Sequence, residues 1–290
     1  MKAPIAIALT AMLCTCRQPA FDHQAQTRNP APPDSINPYG TVAAIPPPPG
    51  YHRLATYPHS FAMWLRDLPL KKDRTVYLYN GRPKANQNAQ FAVLDISVGH
   101  TDLQQCADAV MRLRAEYLYS MHEFTDINFY TEEGNRLNFQ EWANGGRVRL
   151  TGNHLVSYTL QSAGHYCEDR SCFDGYLTTL FTWCGTHTLE RQLSAKPIEK
   201  IDPGDVLIKG GAPGHAMIVV DVVEDTRGHR MYLLAQSYMP AQDIHVVKNP
   251  DSPCLSPWFE ADSSQGLIET PEWTFTINQL RTWPRHIPRL

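Results

Sequence analysis

Thiol catalysis at a carbonyl needs three things: a cysteine on a helix, a histidine to take its proton, and a polar group to orient that histidine. The 290-residue sequence offers one such set. Cys106 lies in "TDLQQCADAVMRLRAEYLYSMHEF", and His215 follows a "GGAPG" loop whose glycines let a substrate backbone come close. The third member depends on the register of the hairpin from Gly214 to Tyr238. If its turn is centred between Thr226 and Arg227, Met217 lies opposite Gln236, and Gln236 becomes the diagonal, same-face neighbour of His215. A bulge at Gly228 instead offers Ser237, and Asp221 shares the face further along.

Each of these residues also has an ordinary structural use. A cysteine on the apolar face of an amphipathic helix is commonly a small core residue. A histidine at a strand start can serve a turn, and Gln236 can be a plain buried amide. Asn86, Gln87 and Asn88 fit loop duty as well as a cleft lining. Trp258 and Trp273, among prolines, suit a core edge or stacking on sugars. His245, in "DIHVV", has no partner that the sequence names.

The elements that must position these groups follow from patterning. "SFAMWLRDL" places Phe61, Trp64, Leu65 and Leu68 at helical spacing behind a Ser60 cap. "TVYLYNGRPKANQNAQFAVLDISVG" reads as strand, Asn-Gly turn, loop and a second strand over 91–98. The strongest helix carries Cys106, with Leu103, Val110, Leu113 and Tyr117 at the same spacing and a capping box of Thr101 and Gln104. That cap sets Cys106 more than one turn inside the helix, beyond most of the dipole's reach. Hairpins are expected about Glu133-Gly134-Asn135 and Gly152-Asn153, and a helix over 173–193. "GDVLIKG", "GHAMIVVDVV" and "RMYLLAQSY" then read as strands, the last two joined by a turn over 225–228. Helices followed by an antiparallel sheet make an α+β domain.

Outside the body, "MKAPIAIALTAMLCTC" has a charged start at Lys2, an apolar run over 3–13 and two cysteines. The run is too short to span a membrane permanently and reads as an export signal over 1–16. "LCTC" resembles a lipobox, which implies lipidation at Cys16 and a membrane anchor in a bacterial envelope. Residues 17–50, with "NPAPPDSINPYG" and "IPPPPG", read as a disordered Pro-rich tether, so a single folded domain spans 51–290. Lys and Arg total 26 against 29 Asp and Glu, with no long single-sign run, which argues against a nucleic-acid partner. Setting aside Cys14 and Cys16, five cysteines remain, an odd number that cannot all pair. Cys167 and Cys172 are placed to close a small disulfide loop, the alternative being a metal site with His165.

"DPGDVLIKGGAPGHAMIVVDVV" resembles the core of NlpC-type papain-like cysteine peptidases, in which a Gly-Asp strand precedes a Gly-His strand. The resemblance implies a papain-like fold, a helix packed on an antiparallel sheet. It implies Cys106 as nucleophile, His215 as base and Gln236 as orienting residue, acting on cell-wall peptides or related amides. In those peptidases the cysteine stands at the start of its helix, and the orienting residue is more often His, Asn or Asp than Gln. The span 60–281 is also similar to the lipoprotein family of unknown function DUF4846, through "NQNAQFAVLDISVG", "DLQQCADAVMRLRAEYLYS", "AQSYMPAQDIHVVKNP", "LSPWF" and "ETPEWTF". The expected function is an envelope cysteine hydrolase that needs no metal or organic cofactor. The competing expectation is a papain-like lipoprotein without chemistry that binds a glycan, a peptide or an envelope partner.

Overall fold

Ten consecutive residues, His215–Glu224, form a strand whose first nine members are buried. Such a run of β-branched and aliphatic residues cannot lie at a surface, and the chain wraps both of its faces. The computed structural model describes residues 36–159 and 166–284. Along the chain, β1 (His52–Arg53) and helix α1 (Phe61–Arg66) come first, then β2 (Gln90–Val93) and helix α2 (Cys106–Ser120). Two small hairpins enclose a short helix: β3 (Asn128–Tyr130) with β4 (Arg136–Asn138), α3 (Phe139–Ala143), then β5 (Gly146–Thr151) with β6 (His154–Thr159). Helices α4 (Arg170–Trp183) and α5 (Thr186–Gln192) follow. The rest is strand: β7 (Ser194–Ala195), β8 (Val206–Lys209), β9 (His215–Glu224), β10 (Arg230–Gln236), β11 (His245–Val247), β12 (Phe259–Glu260), β13 (Leu267–Glu269), β14 (Thr274–Thr276) and β15 (Leu280–Thr282).

The nine-stranded sheet runs β2-β11-β10-β9-β8-β15-β7, with β1 added to β9 and β12 to β10, and its pairings are antiparallel. The architecture is thus mixed α+β, as the patterning predicts. One face packs Ala216, Ile218 and Val220 against a cluster that includes Val110, Leu113 and Phe173. The other turns Met217, Val219 and Val222 toward Ile201, Phe259 and Phe275.

Three boundaries differ from the sequence reading. The tether expected through residue 50 ends earlier, because Val42 and Ile45 are fully buried and Pro46 accepts a 2.9 Å hydrogen bond from Trp258 Nε1. Aliphatic residues scattered among prolines were enough to dock this stretch. The single helix expected over 173–193 is two helices, broken at Cys184 and Gly185 in extended conformation. The strand expected over 91–98 ends at Val93 as β2, with Leu94 continuing only as an isolated bridge to Leu70.

Asp221 takes no part in the site. It is fully buried, six residues along β9 from His215, accepting from Arg53 Nε at 2.7 Å and Arg66 Nε at 2.6 Å. Through these bonds it locks β1 and α1 onto the sheet. Asp221→Asn leaves two guanidinium groups without their anion and is expected to cost about 3 kcal/mol, read as a lowered midpoint in urea unfolding.

Candidate active site

Cys106 is the first residue of α2, with Gln105 as its N-cap. The helix expected to start near Thr101 starts later because Asp108, not Gln104, closes the cap: Asp108 Oδ2 accepts the Gln105 N–H at 2.9 Å. Asp102 Oδ1 instead accepts from Ala241 N–H at 2.7 Å, and Ser237 Oγ lies 3.0 Å from the Gln104 carbonyl oxygen. The segment before α2 is therefore stitched to the residues after β10, and Cys106 stands where the unpaired N–H groups of the first turn favour negative charge.

The register of the hairpin β9-β10 decides which side chain lies beside His215. Its turn is offset by one residue from the centre that would favour Gln236, since Arg230 pairs with Glu224 and Leu233 with Asp221. A register shift at Leu233/Leu234 then pairs Leu234 with Val219 and Ala235 with Ile218. This bulge restores the alignment, and Gln236 Oε1 lies 2.7 Å from His215 Nε2. Ser237 is a tether between carbonyls, those of Gln104 and Gln242.

The start of β9 brings Ala216, the residue after His215, to Cys106. The backbone N–H of Ala216 is near enough to the Cys106 sulfur to favour its thiolate. The Tyr238 ring lies 4.9 Å from the His215 ring, and its hydroxyl is also within electrostatic reach of Cys106. Trp273 and Phe275 cover the imidazole, with ring centroids 5.3 and 5.9 Å away. Gly214, which leads into His215, must be glycine: a Cβ there would stand 2.3 Å from the Gly211 carbonyl oxygen and 2.6 Å from Thr186 Oγ1.

Around Gln236 lies a buried polar group that spacing did not reveal. Gln236 Nε2 donates to Glu272 Oε2 at 2.9 Å, and Lys84 Nζ donates to the same oxygen at 2.5 Å. Asn86 Nδ2 reaches Glu272 Oε1 at 3.3 Å, so the cleft use of Asn86 is as a brace. His245, directly opposite Gln236 on β11, brings Nε2 within 3.3 Å of Gln236 Nε2 and Nδ1 within 2.9 Å of the Asp243 carbonyl oxygen. Glu272 and Trp273 sit in the tight connection of β13 and β14, where Thr270 Oγ1 donates to the Trp273 carbonyl oxygen at 2.6 Å. A nine-residue offset between two strands was the available signal for His245; nothing in spacing pointed to Glu272 or Lys84.

Burial dominates the electrostatics. It pushes the Cys106 thiol up, against the Ala216 N–H, which favours the thiolate, while Asp108 adds to the rise. It lowers His215 to about 4; the Gln236 hydrogen bond opposes the shift and the Lys84 charge adds to it. Asp108 is itself pushed up to about 8, so near neutrality it is largely protonated. The resting state at neutral pH is thus a thiol beside a neutral imidazole.

Among the described residues, the one cluster with metal-ligand spacing is Cys167, Asp169 and Cys172. Its two sulfurs are bonded to each other, with Cα atoms 6.0 Å apart, which excludes the metal reading in this state. His165, the other proposed ligand, and Cys16 lie outside the described residues. Cys106, Cys184 and Cys254 remain free.

The fold and its buried polar group define a mixed α+β protein with a Cys, a His and a Gln gathered at one end of a central antiparallel strand. Residues 42–282 match the family described as "Domain of unknown function (4846)", and the chain belongs to that family. No curated protein and no solved structure matches it.

The neutral pair predicts a specific pH response. Alkylation of Cys106 by iodoacetamide in the folded protein should stay slow through pH 5–8 and rise only above about pH 9, as the raised thiol ionises. A fast plateau already reached at pH 6 would mean a preformed thiolate–imidazolium pair and contradict the reading.

Proposed function

We propose that this protein is a cysteine hydrolase of the NlpC-like, papain-like type, acting on peptides or related amides. The observation that carries the proposal is the joint placement of Cys106 at a helix start against the Ala216 N–H, and of His215 with Nε2 bonded to Gln236 at 2.7 Å. With Nε2 engaged, Nδ1 is the ring nitrogen left for the sulfur.

The chemistry follows in balanced steps. The Cys106 proton passes to His215 Nδ1 as sulfur attacks the carbonyl carbon, and backbone N–H groups at the start of α2 take up the oxyanion charge. Collapse breaks the C–N bond, His215 protonates the leaving amine, and a thioester remains on Cys106. A water then gives one proton to His215 and its hydroxyl to the thioester carbon. Release of the carboxylic acid returns the proton to sulfur.

Because the pair rests neutral, proton transfer accompanies attack and the general-base step bears much of the barrier. Gln236 orients the imidazole without adding charge, so the imidazolium is transient.

We further propose that residues 1–16 export the chain, that Cys16 carries a lipid, and that the domain works from a membrane-anchored position in a bacterial envelope. Peptidoglycan-derived peptides are the substrate class that this location supplies. One observation favours the competing reading of a binding or scaffold protein: Cys106 is 8% exposed and His215 is 1% exposed, so the site is nearly closed.

The deciding experiment is incubation of the purified protein with muropeptides, with products read by mass spectrometry. Wild type should release free stem-peptide fragments. Cys106→Ala should lose at least about 10³-fold in turnover, with an unchanged melting temperature. Retention of muropeptides without cleavage by either protein would establish the binding reading instead.

A further inference from the structure

The polarity of the buried group can be worked out from its two ends. A backbone carbonyl accepts hydrogen bonds and cannot donate. His245 Nδ1, 2.9 Å from the Asp243 carbonyl oxygen, must therefore carry the proton of that ring. Its Nε2 is left as an acceptor, 3.3 Å from Gln236 Nε2. At the other end, the Glu272 carboxylate accepts from Lys84 and from Gln236 Nε2, at 2.5 and 2.9 Å. Both hydrogens of the Gln236 amide nitrogen are thus committed, and the amide oxygen faces His215. An oxygen of this kind only accepts, so His215 Nε2, 2.7 Å away, holds the proton and Nδ1 has the free lone pair.

The opposite arrangement is available to an unrestrained glutamine. With its amide turned over, Gln236 would donate to His215 Nε2, the proton would move to Nδ1, and that nitrogen could not take a proton from sulfur. Since Gln236 is fully buried, no solvent competes to set its orientation, and its neighbours alone decide it.

We propose that Glu272 is a positioning residue for His215: clamped by Lys84 and Asn86, its carboxylate fixes the Gln236 amide and thereby the imidazole tautomer that a proton acceptor needs. This role rests on the hydrolase reading for its use in turnover, but the tautomer itself is a property of the resting protein. His245 acts in the same sense through a longer contact. The side chains of Lys84 and Glu272 are 7% and 13% exposed, so the clamp is an ion pair largely shielded from solvent.

The test is a long-range proton–nitrogen correlation spectrum of the full chain at pH 7, with His215 assigned by loss of its signals in His215→Gln. Wild type should show one His215 tautomer, protonated at Nε2. Glu272→Leu combined with Lys84→Met removes the pair without leaving a charge unpaired. It should populate the Nδ1-protonated form and lower kcat about tenfold, the worth of one hydrogen bond to a charged group, with KM changed less than twofold. Glu272→Gln with Lys84 retained should keep the wild-type tautomer, because Lys84 draws the new amide oxygen into the position that accepts from Gln236.

A wild-type His215 protonated at Nδ1 would overturn the proposal, and that measurement requires no variant to fold. So would a folded double variant with an unchanged tautomer. A wild type with the stated tautomer, shifted as expected in the double variant but with no amide turnover, would remove the hydrolase reading and leave the positioning role standing.

Discussion

Between Val219 and Asp221 the ladder of β9 and β10 carries one residue that has no opposite number. A two-residue period allows no neutral error of this kind: a slip of one turns every following side chain to the other face. Here the slip corrects an offset made at the turn. Before it, Val222 lies on the face of Phe275; beyond it, Met217 and Val219 do, and Val220 joins the face of α2. Without the bulge, His215 would turn to the α2 face, where the end of β10 offers Ser237, and Gln236 would be left on the opposite face. The polar group at the site and the apolar faces behind it therefore depend on the same irregularity.

From that register the remaining contacts follow as satisfaction of buried polar atoms. Gln236 brings an amide nitrogen with two donors into a region closed to water. It is paired with His245, opposite on β11, and with Glu272, from the connection of β13 and β14. Glu272 in turn needs a cation, which Lys84 supplies. Enclosure strengthens each of these bonds and also holds Cys106 and His215 in their uncharged forms.

Periodicity and turn chemistry made the strands β8, β9 and β10, the two small hairpins and the body of α2 legible in the sequence. The pairing of His215 with Gln236 was reachable as one of three alternatives, although the structure arrives at it by a different turn and a compensating bulge. Neither hydrophobic patterning nor composition reports a bulge inside a uniformly apolar strand, since Val219, Val220 and Val222 look alike to it. The start of α2 was misplaced because Thr101 and Gln104 have the right types and spacing for a cap. Tertiary bonds claim the adjoining Asp102 for Ala241 and the Gln104 carbonyl for Ser237. Glu272 and Lys84 are separated by 188 positions, and no local rule joins residues so far apart.

The connection of β13 and β14 delivers both Glu272 and Trp273, and it follows Lys84, Cys106, His215, Gln236 and His245 along the chain. During vectorial synthesis, sulfur and imidazole are both present well before the segment that seals and braces them emerges. The brace on the Gln236 amide is therefore among the later parts of the domain to appear, ahead only of β14 and β15.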